Sequence, residues 1–220
     1  NKLAIGMRYT STNNRGLVKF WDVDSGVGST IGGAVLINAT ILPTRSSDNS
    51  DGYTYILGND NEQLGRACYM NKDGSVCAIG GVSVVRVYKT TDNNPIGQSN
   101  SWTQMGSDII GGGATDSLYL SGNGLRLIVG YNSHSNNKGK VSIYDFKNNQ
   151  WVLFQQIDGS ADGDKLGYAL SASDDYKYLL IGTNHNDGKS KIYYIDVPEY
   201  TAGFTSTGTL GTDLVSTWKI

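Results

Sequence analysis

One short pattern recurs along this chain, a strand ending in a β-branched residue and then glycine: Leu3-Ala4-Ile5-Gly6, Cys77-Ala78-Ile79-Gly80, Leu127-Ile128-Val129-Gly130 and Leu179-Leu180-Ile181-Gly182. The last three glycines stand 50 and 52 residues apart, a period that suits a four-stranded sheet unit repeated in tandem. Gly6 to Gly80 spans 74 residues, and the excess is read as an insertion at about 26–52, with the unit length as ruler.

Each copy carries the same further parts in the same order. After the glycine come a polar loop and an alternating strand: Leu17-Val18-Lys19-Phe20-Trp21, Val85-Arg86-Val87-Tyr88, Val141-Ser142-Ile143-Tyr144 and Lys191-Ile192-Tyr193-Tyr194. Period-two alternation argues strand and not helix. A further strand is marked by Tyr53-Thr54-Tyr55, Trp102-Thr103-Gln104, Trp151-Val152-Leu153-Phe154 and Phe204. Hairpins are expected at Asn71-Lys72-Asp73-Gly74, Ser121-Gly122-Asn123-Gly124 and Ser173 to Lys177, because Asp-Gly and Asn-Gly favour tight turns. In that register Cys68 faces Cys77, Leu118 faces Leu127 and Leu170 faces Leu179. The two cysteines fall where other copies hold leucine, so core packing is expected of them, with a cross-strand disulfide as the alternative. The fold expected is all-β: a single domain over 1–220, a β-propeller of about four four-stranded blades. Leu210-Gly211 and Leu214 repeat the inner-strand pattern, so the last blade is expected to close with the N-terminal strand.

Composition agrees with short strands and tight turns: 29 Gly against 3 Pro, and 14 Tyr. A net charge of −2, with 18 basic and 20 acidic residues, offers no basic footprint for nucleic acid. The uncharged run from Ser25 to Thr44 is broken by Gly26, Gly28, Gly32, Gly33, Asn38 and Pro43, so membrane insertion is not expected. Asn1 in place of Met suggests a processed or excised product, and Asn38-Ala39-Thr40 is a glycosylation sequon.

Lys165-Leu166-Gly167-Tyr168-Ala169-Leu170-Ser171, then Tyr178-Leu179-Leu180-Ile181-Gly182 and Lys191-Ile192-Tyr193-Tyr194-Ile195, resembles an FG-GAP repeat of the integrin-α type of propeller. Ser101-Trp102-Thr103-Gln104-Met105-Gly106-Ser107-Asp108-Ile109-Ile110-Gly111 is similar to a variant of that repeat in surface proteins of bacteria, algae and large DNA viruses. The resemblance implies a propeller on a cell or virion surface, or otherwise extracellular. Integrin-type repeats carry a long acidic calcium loop inside this hairpin, whereas the turns here are short. Calcium, which takes six to eight oxygens, is therefore not expected, and no metal or cofactor is assigned. The segments 46–52 and 158–164 are read as solvated loops.

Chemistry is thinly supplied. His134 and His185, the only histidines, both follow a repeat glycine on equivalent loops, without further Cys, Glu or His beside them. The same loops hold Asn13, Asn14, Asn136, Asn137, Asn186 and Asp187, amides and a carboxylate suited either to sugar hydroxyls, with Tyr9 or Tyr131 stacking on the ring, or simply to turns. The insertion carries a β-prone stretch with Ile31, Val35, Ile37 and Ile41 that would pack in its own blade or add a strand to a neighbouring subunit. The expected role is a non-catalytic interaction module, acting in assembly or adhesion through a protein partner or neighbouring subunit. A carbohydrate-binding propeller is the alternative, and a hydrolase on a propeller scaffold comes after it.

Overall fold

The computed structural model describes residues 2–9, 13–22, 29–31, 34–36, 55–90, 102–173, 178–184 and 190–194. Strands β1 (Lys2–Met7) and β2 (Leu17–Asp22) are followed by a short hairpin, β3 (Ser29–Ile31) with β4 (Ala34–Leu36), and by β5 (Tyr55–Leu57). β1, β2 and β5 make a first sheet in that order. The second sheet holds β6 (Ala67–Met70), β7 (Val76–Gly80), β8 (Val82–Thr90), β9 (Trp102–Gln104) and β10 (Ile109–Ala114). Its order is β10-β8-β7-β6, with β9 also on β8. The third sheet is β11 (Ser117–Leu120), β12 (Arg126–Tyr131), β13 (Lys140–Lys147) and β14 (Gln150–Asp158), with one turn, α1 (His134–Asn137), between β12 and β13. β15 (Ala169–Ala172), β16 (Tyr178–Gly182) and β17 (Ser190–Tyr194) form the fourth. All strand pairs are antiparallel, and each sheet runs outward in chain order, as hairpin-joined strands do.

The expected hairpin register is corrected by one residue on each strand. Cys68 pairs with Ile79 and Met70 with Cys77; Leu118 pairs with Val129 and Leu120 with Leu127; Leu170 pairs with Ile181. The cause lies in the turn. Asn71 N–H donates to the Val76 carbonyl at 2.9 Å, which leaves a four-residue loop from Lys72 to Ser75. Gly74 sits at φ +74 and Gly124 at φ +71, left-handed positions where glycine escapes the Cβ penalty. Side chains then fasten the closing pair: Val76 N–H donates to Asn71 Oδ1 at 2.9 Å and Arg126 N–H to Ser121 Oγ at 2.8 Å. Both cysteines are free thiols and Cys77 is fully buried. Burial pushes the Cys68 thiol up to about 12 and Cys77 well above its ordinary value, so both stay protonated and unreactive.

The outer strand of the second sheet is interrupted. β9 pairs with the far half of β8 and β10 with its near half, and Met105 to Asp108 bulge between them. β14 shows the same feature in smaller form, where the register against β13 slips between Ile143 and Tyr144. The bulge fits the twist of a strand that must bend around its neighbour.

Sheets pack face to face in chain order, and the cores are their interfaces. Cys77, Ile79 and Val84 of the second sheet lie against Val18 and Phe20 of the first. Leu127, Val129 and Tyr131 of the third face Val76, Ala78, Val85 and Val87 of the second. Leu179 and Ile181 of the fourth meet Ile128, Val141 and Ile143 of the third. Alternation on the second strand of each sheet therefore sends one set of residues back and the other forward. Each large aliphatic side chain buried there contributes about 1.5–3 kcal/mol.

The repeat glycine has a packing reason. A Cβ on Gly6 would lie 2.3 Å from the Gly65 carbonyl oxygen, one on Gly80 2.5 Å from Thr115 Cγ2, and one on Gly130 2.2 Å from the Gly167 carbonyl oxygen. At each site the next sheet's inner strand begins so close that only hydrogen fits. The recurrent tryptophan also reaches back one sheet: Trp102 stacks on Phe20 at 4.3 Å, and Trp151 Nε1 donates to the Met105 carbonyl at 2.8 Å.

Of the inserted stretch, Ile31 lies in β3 and Val35 in β4, and these two strands pair with each other, Thr30 opposite Val35. Ile37, Ile41, Phe204, Leu210, Gly211 and Leu214 lie outside the described residues, and with them the segment that the closure expectation requires.

Candidate functional site

The asparagine-rich loops are occupied in holding sheet to sheet. Asn61 N–H donates to the Asn13 carbonyl at 2.7 Å, Gln63 to Asn14 at 2.9 Å and Leu64 to Arg15 at 2.9 Å. One repeat pair later the pattern returns: Gly163 donates to Asn136 at 3.3 Å, Lys165 to Asn137 at 2.7 Å and Leu166 to Lys138 at 3.0 Å. These bonds give parallel bridges, Gly16 with Leu64 and Gly139 with Leu166. To aim its carbonyls at the next sheet, each loop turns left-handed, with Asn13 at φ +77, Asn14 at +49, Asn136 at +55 and Asn137 at +61. Asparagine tolerates that region better than most residues. The backbone carbonyls of these loops thus join sheet to sheet, while the side chains of Asn14, Asn136 and Asn137 stay exposed. Asn13 also donates through Nδ2 to Asp60 at 2.9 Å, beside the exposed Arg15–Asp60 pair.

Other expected ligand residues separate. Tyr131, one of the two rings expected to stack on a sugar, is buried, and a Cβ on Gly112 would lie 2.5 Å from its ring; alternation on β12 points it inward. Tyr9 is exposed, with the Arg8 guanidinium 4.7 Å from its ring centroid. His134 starts the α1 turn, where its carbonyl accepts from Gly139 N–H at 3.1 Å. His185, Asn186 and Asp187 lie outside the described residues. Within 158–164, Ser160 and Ala161 N–H both donate to Asp164 Oδ2, which closes that loop on itself. Among the described residues no three His, Cys, Asp or Glu side chains stand together as a metal site.

The charged constellations brace the sheets. Arg86 donates to both oxygens of Glu62 at 2.8 Å and to both of Asp108 at 2.8–2.9 Å. Glu62 comes from the segment before β6 and Asp108 from the bulge between β9 and β10, so one guanidinium ties three parts of the sheet. Burial raises the Glu62 carboxyl, but Arg86 and Asn59 outweigh it and hold it below the ordinary value. Hydrogen bonding from Arg86 likewise holds Asp108 low, and Glu62 in turn holds Arg86 above its usual value. Arg126 and the buried Asp145 pair bidentately at 2.7 and 3.1 Å on β12 and β13. Such planar two-point contacts suit arginine. These charged groups are paired with one another within the protein.

What stands open is apolar. Ile5, on the residue of β1 equivalent to buried Ile79 and Ile181, is 44% exposed. At the other end of the array, Tyr178 and Leu180 on β16 are 48% and 43% exposed, although the equivalent forward-facing Val76, Ala78 and Ile128 are covered. Val152 and Leu153 on β14 and Ile110 on β10 add exposed apolar side chains on outer strands. Sequence reasoning passed over Ile5, Tyr178 and Leu180. Their signal was there in the alternation, since β1 and β16, like β7 and β12, keep apolar residues on both faces.

No family model and no curated protein matches the chain. Solved structures do share its fold. It is similar to a functionally unknown protein from Desulfotomaculum acetoxidans at 13% identity and a TM-score of 0.52, over 96% of this chain and 50% of that one. It is similar, also at 13% identity and with a TM-score of 0.53, to a "putative 6-phosphogluconolactonase" from Bacteroides fragilis, over 90% of this chain and 47% of that one. The β-propeller domain of Cps50 (Swd1) from Myceliophteria thermophila aligns at 11% identity with a TM-score of 0.49, over 90% and 51%. The chain is an all-β protein of successive antiparallel sheets, and it spans about half the length of the structures it matches.

Proposed function

We propose that this chain is a non-catalytic interaction module, a run of four propeller blades of FG-GAP type that acts in assembly or adhesion through protein contacts. The FG-GAP resemblance favours placing it at a cell or virion surface. The observation that carries the reading is the apolar side chains that lie open at Ile5, Tyr178 and Leu180, while the backbone carbonyls of the polar loops are used between sheets. A large contiguous apolar patch on a folded protein marks an interaction site, and Tyr178 and Leu180 stand open side by side on one face of β16. Sugar recognition would instead need convergent free polar groups beside an accessible ring; Tyr131 is buried, and the exposed Tyr9 has the Arg8 guanidinium over its ring.

The test is light scattering behind size exclusion over a concentration series, followed by a glycan array on the species recovered. Association without glycan binding is expected. A monomer at every concentration that binds glycans, and loses them on Asn136→Ala or Asn137→Ala, would replace this reading with the carbohydrate-binding one. Hydrolysis of a sugar lactone by the purified protein would replace it with the enzymatic one suggested by the name of the Bacteroides fragilis neighbour.

A further inference from the structure

We infer that Cys68, Met70 and Cys77 form a three-sulfur site for one soft monovalent metal ion, with Cu(I) the ion it fits. The chain has 2 Cys and 3 Met, and three of these five sulfur atoms fall on one patch of the second sheet. Met70 on β6 pairs with Cys77 on β7, and Cys68 stands two residues back along β6, so alternation turns all three side chains to the same face. They pack there with Val18, Phe20 and Ile79 between the first two sheets. The third sheet holds Leu118, Leu120 and Leu127 at the equivalent positions, all buried in its own core. Leucine is therefore enough for packing, yet sulfur replaces it at three neighbouring positions at once.

The register decides what these sulfurs can do. Cys68 pairs with Ile79 and Cys77 with Met70, so the two thiols are diagonal neighbours, and both are free. A disulfide needs Cβ atoms about 3.5–4.5 Å apart, whereas diagonal neighbours across an antiparallel pair stand roughly 7 Å apart. Two sulfurs on one metal lie about 4 Å apart, given metal–sulfur bonds of about 2.3 Å, a span that two diagonal side chains reaching toward each other can close. Met70, directly opposite Cys77, supplies the third donor. Thiolate and thioether select soft metals, and three donors suit Cu(I) better than zinc, which takes four. Among the described residues no further Cys, His, Asp or Glu completes a set with the two cysteines. Cys68 is partly exposed and gives the entry path, while Cys77 is fully buried. On binding, two S–H bonds break and two S–Cu(I) bonds form; both protons pass to solvent, copper keeps its oxidation state, and Met70 adds a neutral donor.

The experiment titrates Cu(I) anaerobically into the reduced protein against a coloured Cu(I) chelator and reads the metal's surroundings by X-ray absorption. One Cu(I) per chain in an all-sulfur shell is expected, and Zn(II) should not displace it. Cys68→Ala and Cys77→Ala should each weaken binding by about 100-fold or more, since loss of a ligand exceeds the loss of an outer partner. Met70→Leu, which conserves volume, should weaken it by about tenfold, as a thioether is a weaker donor than a thiolate. Circular dichroism checks that each variant folds, and the partly exposed positions 68 and 70 report even where Cys77→Ala unfolds the sheet. Cu(I) held equally by wild type and Cys68→Ala, a shell with nitrogen or oxygen ligands, or no binding against the weakest chelator overturns the inference. An intramolecular disulfide formed quantitatively on mild oxidation overturns it as well, because it would put the thiols closer than the diagonal register allows.

Discussion

Replacing Gly130 by alanine tests whether the repeat glycine exists to let sheets approach. The new Cβ would stand 2.2 Å from the Gly167 carbonyl oxygen and 2.3 Å from Ser117 Oγ. Ordinary contact begins near 3.4 Å, so over an ångström must be found between two backbones that are each fixed in a sheet. Overpacking of this kind costs roughly 1–3 kcal/mol, and the clash with rigid backbone puts it at the upper end. The Ser117 Oγ–H bond to the Gly167 carbonyl, 2.6 Å long, would be broken as well, at about 1 kcal/mol. The sum, about 4 kcal/mol, corresponds to a fall in Tm of roughly 8–16 °C for a chain of this size. Calorimetry and urea titration read it directly. Gly111→Ala is the control: nothing lies within 4 Å of its Cβ, and its φ of +125 leaves backbone strain of roughly 1–2 kcal/mol. A Gly130→Ala protein that melts within about 2 °C of wild type would refute the packing argument.

Three further outcomes are expected. Trp151→Phe keeps the ring against Phe146 but removes the N–H to the Met105 carbonyl, so it should cost about 1 kcal/mol in denaturant unfolding, and Trp151→Ala about 3–5 kcal/mol. Asn137→Gly should leave stability within about 1 kcal/mol of wild type, because its carbonyl still accepts from Lys165 and glycine suits φ +61; Asn137→Ala should cost about 1 kcal/mol or more. On acidification, Glu62 and Asp108 have folded values held below their unfolded ones, so their contribution is complete above the unfolded pKa of about 4 and is lost as pH falls through the folded values. Thermal melts from pH 6 to pH 2 should show that loss, and Arg86→Met should blunt it by removing the cation that lowers both carboxyls.

The reach of the sequence follows from the range of the forces involved. Strand alternation and the turn glycines act over a few residues, so the all-β class and the paired strands of each hairpin were legible at Ile79, Val129 and Ile181. Register was not, because two residues of turn length, decided at Asn71 and Ser121 by how their side chains fold back on the closing pair, move every residue's partner two places along the facing strand. The backbone part played by Asn136 and Asn137 was not legible either: their positive φ and the bond from Lys165 to the Asn137 carbonyl depend on a neighbouring sheet. Contacts between parts distant in the chain were decided by tertiary structure alone. Arg86 drew Glu62 and Asp108 together across 24 and 22 positions, and the exposure of Ile5 and Leu180, against the burial of Ile79 and Ile128, is read only from the packed sheets. Local pattern specifies which faces are apolar; the packing of every sheet on the next determines which of those faces remain uncovered.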